Sequence, residues 1–416
     1  MNFACVDVGS TFTKAVIVGG DGRLLATADH RTTSDDDVLI GLDNAVKATG
    51  IEPDRLLVCS SAGGGLRLAV VGYEMLVTAQ AGFRVGLSAG AKVVHVAAGK
   101  LDSQGVSELR AARPDVVLLV GGADGGDEET ILHNAGRLKR LGAPIVVAGN
   151  ADAGPTVREL LPKATVVPNV LPAIGRLNPG PARAAIREVF LKHVIGGKHL
   201  SKGSRFTKLV RGATPDIVLS GVELLGTLVE GDVLVVDVGG ATTDVYSVLK
   251  NLDGDDVAGA LPAARTVEGD LGMRWSAPGV VEAALKEKLI DRPVDAVSDP
   301  NVPFSETDGR IAPLAVAVAL RRHARGGALA KGGPRRGGRD LRAVELVVGS
   351  GGVLRHRDPA EARRILEAGL GDHAGGWSLP RSPRVVIDSS YVLAAAGLLA
   401  AERRDVAVSL VEAVLT

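Results

Sequence analysis

The chain has 416 residues, enough for two or three domains of ordinary size. Its 48 basic and 48 acidic residues cancel, so neither nucleic acid nor an anionic membrane is favoured as a partner. Apolar residues make up 46% of the chain but aromatic residues only 3%, which is typical of buried parallel strands and helices rich in small residues. The composition therefore favours an α/β protein.

The chain begins with three predicted strands. Apolar runs at 2–8, 15–18 and 24–30 are separated by turn signals at 9–13 and 19–22. This alternation predicts an antiparallel meander.

Neither the cysteines nor the apolar runs indicate an extracellular or membrane protein. Cys5 and Cys59 lie in apolar runs and are expected to be core residues rather than a disulfide. No basic region precedes Asp7, and the longest apolar stretch, near 391–401, is about half of a ~20-residue membrane span. We expect a cytoplasmic protein without a membrane partner.

The turn after the first strand has a second copy. The sequence DVGSTFTK at 7–14 is matched by DVGGATTD at 237–244, and both lie between apolar strands. Two copies more than two hundred residues apart predict two related lobes rather than a solenoid, whose repeat would recur every 20 to 50 residues.

The region between the copies alternates predicted strands and helices from 116 to 167, as in a parallel βαβ unit. We therefore expect a first lobe at 1–215 with an inserted α/β segment near 85–195. The second lobe is expected at 216–390, and a C-terminal helix at 391–416 is expected to return to the first lobe.

The paired turns have the chemistry of a phosphate site. Glycines allow main-chain N–H groups to approach an oxyanion, hydroxyls add donors, and an aspartate at the strand end can hold hydrated magnesium. One such turn is weak evidence, but two facing turns, at Asp7 and Asp237, predict a clamp for a triphosphate.

Two later segments extend this pattern. The apolar strand at 347–348 runs into the glycine-rich turn 349–352, which would let the backbone lie flat against a purine or ribose. The segment 387–390 precedes a helix of small and aliphatic residues, which suits close helix packing at a hinge.

The order of these motifs resembles the actin, heat-shock-70 and sugar-kinase superfamily of ATPases. With the segments 60–67, 121–126 and 169–172, the chain is similar to the glutamate mutase (methylaspartate mutase) accessory family called MutL, which is unrelated to the mismatch-repair protein of that name. The resemblance implies two actin-like (ribonuclease H-like) lobes around a nucleotide cleft. It also implies an ATPase that protects or reactivates a coenzyme B12-dependent mutase.

The resemblance also implies roles for individual residues. Asp7 and Asp237 would hold the water shell of Mg²⁺, and Lys14 would contact a phosphate of ATP. The remaining implied nucleotide contacts are Gly9, Ser10, Thr11 and Thr13 in the first turn, Gly239, Gly240, Thr242 and Thr243 in the second, and Gly349, Ser350, Gly351 and Gly352 beside the adenosine.

The acid that orients the attacking water is less clear from the sequence. Asp216 is one candidate, although it also suits a charge in the first turn of a helix. Glu268 and Asp270 resemble the Gly-Gly-Glu loop of heat-shock-70 proteins and are the preferred candidates for nucleotide contact.

Several other functions lose their usual support. The chain lacks a G-x-x-x-x-G-K-[ST] loop, a complete G-x-G-x-x-G and a D-x-H-x-x-G run, so it is not expected to be a P-loop protein, a dehydrogenase or the B12 carrier. Two alternatives within the superfamily remain, a small-molecule kinase and an actin-like filament former. The sequence does not identify which mutase is the partner.

Overall fold

A computed structural model describes residues 1–197, 200–251, 258–299, 302–328, 335–336, 338–371 and 376–415. Within these ranges the chain forms three five-stranded sheets and a two-stranded ribbon.

The first lobe is built on the predicted meander, which the structure confirms. Its strands pair antiparallel in the order of the chain, and two further strands add in parallel on the other side, giving the order β10-β4-β1-β2-β3. Helix α1 packs on this sheet. The elements are β1 (Asn2–Val8), β2 (Phe12–Gly19), β3 (Leu24–Arg31), α1 (Val38–Ala48), β4 (Arg55–Ser60) and β10 (Val210–Ala213).

The second lobe repeats this arrangement. A meander again lies beside two parallel strands, in the order β13-β12-β11-β16-β17, so the first strand of each meander is central. The duplicated two-lobed α/β architecture is as predicted. The elements are β11 (Asp232–Val238), β12 (Thr243–Val248), β13 (Ala263–Glu268), α9 (Ala277–Lys286), α10 (Glu306–Arg325), β16 (Val344–Ser350), α11 (Gly352–Arg355), α12 (Pro359–Leu370) and β17 (Arg384–Ile387), with the ribbon β14 (Gly327–Ala328) and β15 (Arg335–Arg336).

The segment inserted into the first lobe has its own parallel sheet, ordered β6-β5-β7-β8-β9. It starts earlier than the expected residue 85, because the buried strand at 67–72 already pairs within this sheet. The elements are β5 (Arg67–Gly72), α2 (Thr78–Ser88), β6 (Lys92–Ala98), α3 (Ser103–Ala111), β7 (Val116–Leu119), α4 (Glu129–Leu138), β8 (Ile145–Val147), α5 (Gly154–Leu160), β9 (Thr165–Val166), α6 (Gly180–Val189) and α7 (Arg205–Leu209). A 3-10 turn (Ala151–Ala153) precedes α5, and a π-helical turn (Phe190–Ile195) follows α6.

Two helices cross between the lobes, α8 (Thr214–Leu228) and α13 (Val392–Ala400). Their backbones approach so closely that a methyl group on Gly221 would overlap the carbonyl oxygen of Leu393, and one on Gly397 would overlap that of Ile217. Only glycine fits at both positions, so the close approach of the two helices depends on Gly221 and Gly397.

The expected single C-terminal helix is two helices, α13 and α14 (Arg404–Leu415). Both pack on the first-lobe sheet, in one apolar cluster with Phe3 and Val18. Cys5 and Cys59 lie in this cluster as free, buried thiols, as predicted. Across the described ranges, none of the helices has both the length and the apolar character that crossing a bilayer demands.

Candidate functional site

The two duplicated turns have the same local geometry. In the first, the N–H of Gly9 donates to the carbonyl oxygen of Phe12 at 3.1 Å, and in the second Gly239 donates to Thr242 at 2.9 Å. Asp7 lies opposite Lys14 near the end of β1, and Asp237 lies opposite Asp244 near the end of β11. The duplication therefore extends to the hydrogen bond that closes each turn.

Both turns present backbone N–H groups that lack acceptors. Within the described part of the chain, no acceptor is bonded to the N–H groups of Ser10, Thr11, Gly240 or Ala241. The carbonyl groups of the second turn are already hydrogen-bonded, since those of Gly239 and Gly240 accept bonds from the backbone N–H groups of residues 273–275 at 2.8–3.0 Å. Such turns suit an anion.

The last threonine of each turn has a structural role. The Thr13 hydroxyl is buried 3.0 Å from the Thr32 hydroxyl, which donates to the Gly9 carbonyl at 2.8 Å. The Thr243 hydroxyl is equally buried and donates to Leu271 at 2.5 Å. These bonds stabilise the two turns, and contact of the Thr13 and Thr243 side chains with phosphate stays a prediction.

The remaining hydroxyl residues are more accessible. Ser10 is exposed, Thr11 is half-buried, and the Thr242 hydroxyl donates to Asp244 at 2.9 Å. These three stay candidates for phosphate contact.

Asp7 is buried and fully engaged. Its Oδ1 accepts a hydrogen bond from the hydroxyl of Thr214 at 2.6 Å and faces the thiol of Cys59 at 3.7 Å. Its Oδ2 lies 3.3 Å from the ammonium of Lys14. Asp7 thus joins the first turn to the start of α8.

Lys14 lies between the two aspartates of the turns. Burial alone would lower the pKa of its ammonium, but the pKa is raised because Tyr391, Asp7 and Asp237 stabilise the charge. The ammonium also lies 4.2 Å from the centroid of the Tyr391 ring. Lys14 is therefore a fixed positive charge facing both turns.

Asp237 is the less engaged of the two aspartates. No hydrogen bond reaches its carboxylate from any residue that the structure describes. Burial raises its pKa to about 6; Lys14 opposes this, while Asp244, Asp7 and Asp388 add to it. Half-buried, unpaired and crowded by other carboxylates, Asp237 suits a divalent cation held mainly through water and phosphate oxygens. The described residues contain no group of three or more His, Cys, Asp or Glu side chains that would hold a metal alone.

The glycine-rich turn 349–352, predicted to contact adenosine, lies directly beside the turn at 237–244, since Ser350 is the strand partner of Asp237. Gly351 has φ +101°, and a methyl group there would overlap the carbonyl of Val238. Gly349 packs against Leu366. Gly352 starts α11 close to the ring of Phe304.

Glu268 and Asp270 are brought together, but around an arginine. Arg322 of α10 donates to Glu268 at 2.7 Å and to both oxygens of Asp270 at 2.7 and 2.9 Å. The two acids lie one strand away from the second turn, because Glu268 pairs with Thr243. Their contact with a nucleotide remains a prediction.

Asp216 is held away from this chemistry. It is buried in the first turn of α8, with Arg187 Nε at 2.5 Å and Arg183 Nη2 at 3.5 Å. A carboxylate engaged by two guanidinium groups does not suit a base that must accept a proton. The alternative interpretation, a charge in the first helical turn, fits the structure better than a catalytic acid.

Four residues of the site were not predicted: Thr214, Asp388, Tyr391 and Arg355. Thr214 binds Asp7, and Asp388 accepts bonds from the N–H groups of Val392 and Leu393 at the start of α13. Arg355 lies 4.2 Å from the Tyr391 ring centroid and 3.3 Å from Asp29 of the first lobe. Only the Asp388 cap had a local signal, in the Asp-Ser-Ser run before the helix.

Comparisons with known proteins cover nearly the whole chain. A family model described as MutL protein matches residues 3–415. A relative from Clostridium tetanomorphum, Protein MutL, is 37% identical over 462 residues, covering 99% of this chain and 98% of the relative.

Solved structures show weaker likeness. A ROK family glucokinase from Streptomyces griseus in complex with glucose and AMPPNP is 12% identical, with a TM-score of 0.37 over 97% of this chain and 100% of that chain. An ATP-dependent caprolactamase from Pseudomonas jessenii is 13% identical, with a TM-score of 0.38 over 94% of this chain and 70% of that chain.

Proposed function

The chain belongs to the MutL protein family, and from that premise we propose that it binds and hydrolyses ATP to protect or reactivate a coenzyme B12-dependent mutase. One observation carries the nucleotide part of the proposal. Two turns with the same closing hydrogen bond, one from each lobe, bring Asp7 and Asp237 near the ammonium of Lys14.

Each part of the cleft has a task in this proposal. The N–H groups of Ser10, Thr11, Gly240 and Ala241 would bind phosphate oxygens from the two lobes, and Lys14 would neutralise charge between them. Asp237, with Asp7 behind it, would hold Mg²⁺, which supplies charge neutralisation at the phosphates. Ser350 to Gly352 would lie against the adenosine.

The helix crossing supports a mechanical use of ATP. Contacts from both lobes meet at the starts of α8 and α13, through Thr214 on Asp7 and through Tyr391 between Lys14 and Arg355. A nucleotide clamped by both turns would draw the lobes together about the Gly221 and Gly397 contacts. This motion would remodel a bound mutase.

Hydrolysis by the full chain tests the proposal. We expect Mg²⁺-dependent ATP turnover that is lost in Asp237→Asn and unchanged in Asp152→Asn, at an exposed carboxylate of the inserted segment far from both turns in sequence. Addition of a cobalamin-inactivated glutamate mutase should raise turnover and restore mutase activity. Nucleotide that neither binds nor turns over would refute the clamp, whereas turnover without any effect of the mutase would refute only the partner.

A further inference from the structure

The structure contains a cavity whose lining includes none of the residues of the two turns, 7–14 and 237–244. It has a volume of about 440 Å³ and lies against the crossing helices, at Ile217 and Leu224 of α8 and at Gly397 and Leu398 of α13. This volume lies within the usual range for small-molecule sites, roughly 300–1,000 Å³. The lining combines aliphatic residues of the two helices with three arginines and two glutamates.

Three arginines line the cavity: Arg187 from α6, Arg211 from β10 and Arg404 from α14. Each has donors to spare. Arg187 uses Nε on Asp216, Arg211 uses Nε on Glu402 and Nη1 on the Lys208 carbonyl, and exposed Arg404 has no acidic partner in the described part of the chain. Guanidinium groups with free N–H donors are suited to carboxylate and phosphate ligands.

The charges in and around the cavity do not balance. Glu402 is shared by Arg211 and Arg55, and Glu223 is bonded by Arg183. Together with the ion pairs of Asp216, the described residues of this network include three carboxylates: Asp216, Glu223 and Glu402. They include five arginines: Arg55, Arg183, Arg187, Arg211 and Arg404. The surplus of two positive charges matches a dianion.

We propose that this cavity binds a small organic dianion, a dicarboxylate or a phosphate monoester, and that the bound dianion changes the affinity of the cleft for nucleotide. The coupling half of this inference rests on the function proposed above, whereas the binding half does not.

The contacts provide a short route for the coupling. Arg187 holds Asp216 in the first turn of α8, and two residues earlier Thr214 in the same turn donates to Asp7 of the phosphate turn. A dianion that engages Arg187 therefore acts on the helix start that positions Asp7. The cavity also spans both crossing helices, so its shape depends on their angle.

Calorimetric titration of the full chain with glutarate and, separately, with glycerol 3-phosphate tests the binding. We expect saturable binding of at least one probe, about tenfold weaker in Arg404→Gln, as for the loss of a charge-assisted hydrogen bond. Arg404 is exposed, so its substitution should leave the fold intact. Arg403→Gln is the matched control, because Arg403 is the next residue, is paired with Asp405 and does not line the cavity.

The outcomes distinguish a dicarboxylate from a phosphate monoester as the ligand. They also distinguish binding in the cavity from its coupling to the nucleotide cleft. Binding of only one probe identifies the class, and binding that changes nucleotide affinity about fivefold or more in wild type but not in Arg404→Gln supports the coupling. The inference is overturned if neither probe binds, if the two arginine variants bind equally, or if ADP displaces the probe competitively. Nucleotide binding measured in the same samples shows whether the cleft functions independently.

Discussion

The ammonium nitrogen of Lys14 lies 4.2 Å from the centroid of the Tyr391 ring, and this contact joins the turn at 7–14 to the residue that precedes α13. Arg355 of the second lobe lies at the same distance from that centroid. Tyr391 adopts a left-handed backbone conformation, with φ +56° and ψ 36°, which is uncommon for a non-glycine residue. The ring is therefore held by both lobes where one connecting helix begins.

Substitutions of Tyr391 should separate the ring from its hydroxyl. Tyr391→Phe keeps the aromatic face toward both cations, so we expect the free energy of unfolding to change by less than about 1 kcal/mol. Tyr391→Ala removes a buried ring and should cost about 3 kcal/mol in urea denaturation. Equal stabilities of the two variants would contradict a role for the ring.

We expect the ionised carboxylate of Asp237 to lower the stability of the folded protein although nucleotide binding requires it. Its pKa of about 6 in the folded protein is above the ordinary 3.8, so folding favours the protonated form, and stability falls as the pH rises through that interval. Asp237→Asn should therefore raise the free energy of unfolding at pH 7.5 by about 1–2 kcal/mol, with a reduction from the full shift for partial exposure. It should abolish nucleotide binding.

Urea denaturation of wild type and Asp237→Asn at pH 7.5 and pH 4 measures this effect on the free energy of unfolding. The stability gain of Asp237→Asn should shrink toward zero at the lower pH, where the wild-type carboxyl is increasingly protonated in both states. The exposed variant Asp35→Asn should show no such dependence, and a destabilised Asp237→Asn at pH 7.5 would overturn the prediction.

His323 should make the second lobe sensitive to acid. It is buried between the Ser247 and Thr266 hydroxyls at 2.8 and 3.0 Å, and burial, with Arg339 nearby, lowers its pKa to about 3. Because the unfolded chain takes up the proton near pH 6.5 and the folded chain does not, stability is lost as the pH falls below that value.

The loss attributable to His323 should be about 2 kcal/mol between pH 6.5 and pH 5. A His323→Gln variant should have a flatter stability profile over this interval, whereas His193→Gln, at an exposed position, should follow the wild type. Parallel profiles for all three proteins would show that burial of His323 does not set the acid limit.

The helix crossing should not tolerate a methyl group. Gly221→Ala and Gly397→Ala each place one against a backbone carbonyl oxygen of the other helix, so we expect a loss of at least about 3 kcal/mol or failure to fold. Gly136→Ala, in α4 with open space around the new methyl, should instead gain about 0.5–1 kcal/mol. Thermal unfolding of the three variants makes the comparison.

The parts of this protein predicted from sequence are those specified locally. The meander of each lobe follows from apolar alternation and glycine turns, and the match of 7–14 to 237–244 was enough to predict two turns of the same geometry. Even there, the pattern did not show which hydroxyls face inward, because Thr13 is covered by Thr32 and Thr243 by the Leu271 carbonyl.

The remaining site residues depend on contacts between distant segments. The sequence offered Asp216 as a candidate for the water-orienting acid, but in the structure Arg183 and Arg187 of α6 form ion pairs with it. Glu268 and Asp270 similarly meet Arg322 from α10. An arginine far along the chain leaves no periodic signal near the acid that it neutralises, so single-sequence analysis has no means of pairing them.

The packing of α13 and α14 under the first-lobe sheet has a consequence for biosynthesis. The face of that sheet carrying Phe3, Cys5 and Val18 is covered by residues that leave the ribosome only after the second lobe has been made. The first lobe therefore cannot complete its core in the order in which it is translated, and its apolar face stays open while more than three hundred further residues emerge. Premature chain termination before α13 would leave this face of the first-lobe sheet without the two helices that cover it.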